Sequence, residues 1–294
     1  MFYPPLIRRS LFWLLLLTAT SLTLLRLSLW TANYYKANIE TAISQELGQT
    51  IKLDTIKAAF QSGIPELVLH NFKIQNQQQT LFSLRKVHLR LNLFTVLRRS
   101  LFEGLQITLS GAKFSIIRLE NGGISIEGLP SNNDSSQPTW LMQGEHYRLI
   151  DSEITWHDRK RHTKPILLQH VNMLIHNQAH QHNISIETQL PPTLGKSLTA
   201  AIQIQGNIFT PKNATAKLFF QGKNINLAEL ATGDLPFQLA LQKGRSDFSL
   251  WSTWKSAQMT DMSGELSLTD SHLQHQQNQY AIEQLNVKFK LHKQ

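Results

Sequence analysis

Asp151 and Glu153 stand two residues apart in a run rich in strand formers, so a strand puts both carboxylates on one face near Trp156 and Asp158. Paired carboxylates of this kind are the working groups of glycoside hydrolysis. They are also ordinary solvent-facing residues of turns, and no nucleophile elbow, P-loop or Gly-rich dinucleotide motif accompanies them. Gly122-Gly123 is too short to cradle a phosphate. The expectation is that the chain is not an enzyme. Seven of the 12 histidines fall between residues 146 and 182, among them His157, His162, His176, His180 and His182. His180-x-His182 would share a strand face, which a metal ion can exploit. Carboxylate partners are sparse there, and no helical His-x-x-x-His pair with a Glu occurs. The histidines therefore read as polar surface positions, with neither a metal nor a cofactor expected. With Cys 0, disulfides, thiolate-bound zinc and a thiol nucleophile are excluded.

Charge is the next source of chemistry. Lys+Arg 29 against Asp+Glu 20 gives a formal +9 in 294 residues. Between Leu67 and Phe102 lie Lys73, Arg85, Lys86, Arg90, Arg98 and Arg99 and no acid. The plain reading is a solvated strand face and loop. The sharper one is contact of Arg85, Lys86, Arg90, Arg98 and Arg99 with anionic headgroups, worth about 1 kcal/mol per residue at an anionic surface. No zinc finger, helix-turn-helix or RNP pattern supports nucleic-acid binding, and none is expected.

These groups must be positioned by the elements around them. Ser10 to Trp30 is almost wholly apolar and follows Arg8 and Arg9. As a helix it spans about 31 Å, close to the roughly 30 Å hydrocarbon core of a bilayer. Arg26 lies near its far end, where its stem can snorkel, and Trp13 and Trp30 flank the segment as interfacial aromatics do. A cleaved signal peptide is the rival, with an Ala19-x-Ser21 site. Apolar sequence runs on past that site, so an uncleaved anchor is expected. It would put residues 1–9 in the cytoplasm, 10–30 in the membrane, a short helix over 31–49, and residues 50–294 beyond the bilayer as one β domain.

From residue 50 the apolar period becomes two, as in Leu67-x-Leu69, Leu105-x-Ile107-x-Leu109, Ile184-x-Ile186 and Ile202-x-Ile204. Asn121-Gly122-Gly123 reads as a hairpin turn. Short helices are expected only near 94–102 and 227–231. An octad repeats three times: Leu84-x-x-Val87-x-Leu89-x-Leu91, Leu168-x-x-Val171-x-Met173-x-Ile175 and Ile282-x-x-Leu285-x-Val287-x-Phe289. In each copy the first apolar residue is out of phase with the next three, which predicts a bulge or bend there. A repeated strand-loop-strand unit suggests a sheet that grows along one axis.

One face of that sheet is polar and the other carries Leu, Ile, Val and Phe. Burial of each such side chain is worth about 1.5–3 kcal/mol, so the apolar face must be covered. A sandwich, a closed barrel, or a curved trough filled by lipid acyl chains would each do it. A sandwich acting as an adaptor for another envelope protein is the alternative to a lipid carrier.

Several motifs sharpen the choice. Tyr34-Tyr35-Lys36-x-x-Ile39 leads into Leu47-Gly48-Gln49-Thr50-Ile51, followed by Gly63-Ile64-Pro65-Glu66-Leu67-x-Leu69-x-Asn71-Phe72-x-Ile74. Further on come Leu119-Glu120-Asn121-Gly122-Gly123-Ile124-x-Ile126-x-Gly128-Leu129, Trp140-Leu141 and Leu149-Ile150-Asp151-Ser152-x-Ile154-x-Trp156-x-Asp158. With the N-terminal anchor, this order resembles the start of an AsmA-like protein of the YhdP branch, across most of residues 1–290. Phe60-Gln61-Ser62 departs from the Trp usual before the Gly-x-x-Pro turn, and family members are several times longer. The resemblance implies the N-terminal part of such a protein, anchored in the inner membrane of Gram-negative bacteria. It also implies a periplasmic β-groove that carries phospholipid to the outer membrane. The expected fold is therefore mainly β: anchor, short helix, then a repeated, curved antiparallel sheet forming an open groove. Leu67, Leu69, Val87, Leu89, Leu91, Val171, Met173, Ile175, Leu285, Val287 and Phe289 are the expected groove lining. Some fourteen strands would give about 70 Å of groove at roughly 4.8 Å per strand.

Overall fold

The computed structural model describes residues 9–10, 12–17, 19–21, 23, 32–47, 49–61, 64–76, 79–98, 100–127, 144–207, 211–230, 239–275 and 278–292. Alternating apolar and polar residues become strands throughout, because the two-residue period matches the pleat. The strands are β1 Thr50–Lys52, β2 Thr55–Gln61, β3 Ile64–Asn76, β4 Gln79–Leu91, β5 Leu105–Arg118, β6 Ile124–Ile126 and β7 His146–Asp158. They continue as β8 Ile166–Gln178, β9 Gln181–Gln189, β10 Ser197–Gln205, β11 Thr215–Asn226, β12 Leu239–Lys255, β13 Gln258–His275 and β14 Asn278–His292.

All belong to one 14-stranded sheet ordered β1-β3-β4-β5-β7-β8-β9-β10-β11-β12-β13-β14. β2 shares an edge of β3 with β1, and β6 shares an edge of β5 with β4. Neighbours are antiparallel except β5 and β7, which run parallel. Twelve strands, not fourteen, therefore set the length across the sheet, which is about 50 Å at the usual strand spacing. Among the described residues no second sheet exists and β14 does not return to β1 or β2, so the sheet is neither a sandwich nor a barrel.

The hairpin at Asn121-Gly122-Gly123 joins β5 to β6 as expected, with Gly122 at φ 88° and Leu119 N–H donating to the Gly123 carbonyl at 2.8 Å. The short helices are α2 Leu93–Arg98, α3 Leu101–Gly104 and α4 Leu227–Leu230, preceded in the chain by α1 Lys36–Leu47. A 3-10 turn, Ala32–Tyr35, leads into α1.

α1 and its leading turn cap one edge of the sheet. The backbone N–H groups of Ile51, Leu53 and Ile56 donate to Ser44 Oγ (3.0 Å), Glu40 Oε1 (2.6 Å) and Asn33 Oδ1 (3.1 Å). Edge N–H groups that would otherwise recruit another strand are thus taken by side chains. Ile39 and Ile43 pack on a cluster that includes Ile51, Ile56, Ile74, Phe82 and Val87. The densest core sits here, between α1 and β8, and burial thins toward β14.

Of the expected anchor, residues 9–10, 12–17, 19–21 and 23 are described and helical. Phe12, Trp13, Leu14 and Leu17 on it are about three-fifths exposed, at 59–65%. Among the described residues no helix is long and apolar enough to cross a membrane. Arg8, Arg26 and Trp30 lie outside them, while Arg9 is described.

Candidate functional site

Strand register decides which side chains share a face. From Leu67 the pairing passes to Leu89, Ile107, Tyr147, Ile175, Ile184, Ile202 and Leu218. From Leu69 a second row passes to Val87, Leu109, Leu149, Met173, Ile186, Ala200, Phe220, Leu250, Gly264 and Phe289. Val287 pairs with Leu266 and Leu285 with Leu268 on the same face, and Leu91 pairs with Leu105. All eleven residues expected to line a groove thus stand on one face of the sheet. Their burial falls along the path, from 7% exposed at Leu69 and Val87 and 3% at Val171 to 40% at Leu285. The face is shut near α1 and open toward β14.

The predicted break in each octad is real, and it spans the sheet as a crease. Asn71, Gly111, Asp151, His170, Asn224 and Asp270 all have φ between 47° and 62°. At β3–β4, β4–β5 and β13–β14 the same register resumes after the break, so paired strands change phase together. At β7–β8 it slips by one residue at Ser152↔Val171 and returns by Ile154↔Leu168, while at β8–β9 it shifts by one residue. Two consecutive residues then point outward, such as Arg85 and Lys86, and Leu84 rejoins Val87 on the apolar side. Small side chains fill the inside of the fold line: Ala112 and Ser152 are both 0% exposed. Ser152 Oγ accepts from Ala112 N–H at 3.1 Å and donates to the Ile150 carbonyl at 3.1 Å, partnering backbone groups that the crease releases from the ladder. A Cβ on Gly111 would lie 2.5 Å from Arg85 Nε, so glycine lets that guanidinium cross the crease.

The outer face is largely polar, apart from an apolar strip at Leu174, Ala201, Phe219 and Trp251. Arg85 already has a partner on this face: its guanidinium bonds Asp151 at 3.1 Å, and Asp151 also bonds His170 Nδ1 at 2.8 Å. Those two partners, the His170 bond first, hold the Asp151 carboxyl below its ordinary range. Lys86 is exposed beside them. Arg90 sits at the other end of β4, opposite Glu66, and Arg98 lies on α2 with its guanidinium 4.3 Å from the Phe94 ring centroid. Arg99 is outside the described residues. The basic residues therefore divide between the crease and the β4–α2 end and do not form one patch.

The paired carboxylates are separated by the same crease. Asp151 occupies the left-handed position, which breaks the i, i+2 relation, and Glu153 bonds Lys113 at 2.9 Å instead. The histidine expectation also changes. His180 lies in the turn before β9, and His182 is buried at 5% exposure, with its Nδ1 2.9 Å from Asn177 Oδ1. They form no pair on a strand face. Burial, with His180 a lesser influence, lowers the His182 pKa despite an opposing backbone hydrogen bond at Gly206.

Against this geometry stands one match to a family model, the YhdP protein family, over residues 3–294. The chain belongs to the YhdP family. No curated protein and no solved structure matches it. Membership spans the anchor-like segment, α1 and the whole creased sheet, so the short motifs of the sequence mark a family rather than chance strand likeness. Within this YhdP chain, reading the period alone missed Phe220, Phe248, Leu250, Met262 and Gly264 as members of the apolar face. Adjacent Phe219 and Phe220 blur the alternation, and glycine interrupts it. A signal was present in Phe248-x-Leu250 and Met262-x-Gly264-x-Leu266 once glycine is counted as an inward position.

Proposed function

We propose that this chain is a membrane-anchored lipid conduit whose creased apolar face shelters phospholipid acyl chains on their way between inner and outer membrane. The observation that carries the reading is a pair of apolar rows, one from Leu67 to Leu218 and one from Leu69 to Phe289, that no second sheet covers among the described residues. Acyl chains satisfy that face, because each methylene removed from water contributes about 0.8 kcal/mol. Headgroups stay in water at the mouth. Successive strands repeat nearly the same surface, so sliding from one to the next changes the free energy little, and no covalent step is required. An adaptor sandwich needs a second layer to close the face, which the single sheet does not favour.

The N-terminal segment fits the anchor role. Phe12, Trp13 and Leu17 on it are largely exposed, and Thr20 and Thr23 donate to the Leu16 and Ala19 carbonyls at 2.8 Å, which keeps their hydroxyls satisfied in an apolar medium. Arg8 and Arg9 then mark the cytoplasmic side and Arg26 with Trp30 the far interface. The uncapped end of the sheet at β14 points the path away from that anchor. Mass spectrometry of lipids retained by the purified chain tests the reading. Phospholipid at near-stoichiometric level is expected, falling at least tenfold in Val287→Asp with the β-sheet circular dichroism retained. Lipid-free protein, or equal lipid in the variant, overturns it.

A further inference from the structure

His146 and His176 are direct register partners on β7 and β8, thirty residues apart in the chain, with ring centroids 4.3 Å apart. His146 Nδ1 and His176 Nε2 are buried from solvent and have no hydrogen-bond partner. A buried polar atom left unpaired is destabilising, so two side by side call for an explanation. Glu145 is the third group. Its Oε1 lies 3.9 Å from His176 Nε2, beyond hydrogen-bonding distance. One ligand atom from each of the three residues falls within 4.8 Å of the others, the one such group among the described residues.

From this juxtaposition we propose that Glu145, His146 and His176 bind a divalent transition-metal ion of the zinc class on the outer, polar face of the sheet. Two donors on one tetrahedral zinc stand about 3.3 Å apart, given metal–ligand bonds of about 2.0–2.1 Å. Small side-chain rotations from the observed spacing reach that geometry. Two imidazoles and a carboxylate favour zinc, cobalt, nickel or copper over magnesium or calcium, which prefer all-oxygen sets. The backbone behind the site is pinned. Asn177 N–H donates to the Glu145 carbonyl at 2.9 Å, and its side-chain amide donates to the Gly144 carbonyl at 2.7 Å. Asn177 is in turn held by His182. Such support fixes ligand direction before the ion arrives.

Three protein donors leave a fourth position open. His176 borders a shallow, mainly apolar depression of about 420 Å³, lined by Leu174, Phe219 and Trp251 with Asn183, Gln203 and Lys217 as its polar points. A water or an anionic group could complete the ion's shell from there. The site lies on the face opposite the acyl rows and ties β7 to β8 next to the parallel β5–β7 junction. Its role would be to staple the sheet where the direction of pairing changes, independently of lipid.

The test uses the whole purified chain stripped with chelator. Calorimetric titration with Zn²⁺ should give one saturable ion per chain, and Co²⁺ should give the visible absorption of a four-coordinate site. His176→Ala and Glu145→Gln should each weaken binding at least tenfold, while His162→Ala, on an exposed turn, should leave it unchanged. Zn²⁺ should raise Tm of the parent but not of His176→Ala. Should His176→Ala fail to fold, Glu145→Gln at the strand start gives the same reading. No saturable binding, or binding that survives both substitutions, overturns the proposal.

Discussion

His182 is a base held away from water, and that has a consequence for stability against pH. Burial lowers its pKa below the ordinary imidazole value of 6.5, and His146 is shifted the same way, first by burial and then by His176. Between the lowered folded value and 6.5 the unfolded chain binds more protons, so stability rises with pH in that window. Stability should therefore be full above about pH 7, fall as pH drops through 6.5, and level off once the folded histidines also charge. Urea denaturation at stepped pH checks this. His182→Asn, which keeps a polar side chain near Asn177 and removes the titration, should flatten the slope, and an unchanged slope would assign the effect elsewhere.

The instructive element is the capped edge. Glu40 on α1 accepts the Leu53 N–H at 2.6 Å, and Leu53 is 3% exposed, so water cannot easily replace the carboxylate. Glu40→Ala should cost about 1–3 kcal/mol, the usual penalty for a buried donor left unpaired. Hydrogen exchange should accelerate at Leu53 first, ahead of the β7–β8 ladder. A uniform acceleration across the sheet would mean that α1 supports the fold as a whole and not the edge alone. The opposite edge, β14, has no such cap among the described residues.

Across the whole molecule the gradient of burial separates packing from conduit. Leu149 is 5% exposed and belongs to the core cluster, whereas Val287 lies near the open end beside Leu285 at 40% exposure. Leu149→Asp should bury an unpaired charge and unfold the chain, a loss of several kcal/mol. Val287→Asp should lower stability by less than about 1 kcal/mol while depleting bound phospholipid, because solvent already reaches that position. Thermal melting alongside lipid quantification reads both. If the two substitutions prove equally destabilising, the far end is packed as tightly as the near one and the conduit reading fails there.

The two-residue apolar period by itself determined that this chain is mainly β and that residues such as Leu67, Val87, Met173 and Phe289 belong to a greasy face, though it passed over Phe220, Leu250 and Gly264. It determined this because side-chain alternation is local to each strand and survives any topology. The triple phase break at Leu84, Leu168 and Ile282 likewise announced a bend, since a strand cannot keep apolar residues three apart on the same face without one. Only the tertiary structure decided that those bends align into one crease, because alignment depends on the register between strands far apart in sequence. It alone brought Arg85 to Asp151, His146 to His176 and Ser152 to Ala112, and it alone left the apolar face without a second layer. Pairing across 30 to 66 residues is set by which edges meet, and no local pattern encodes that.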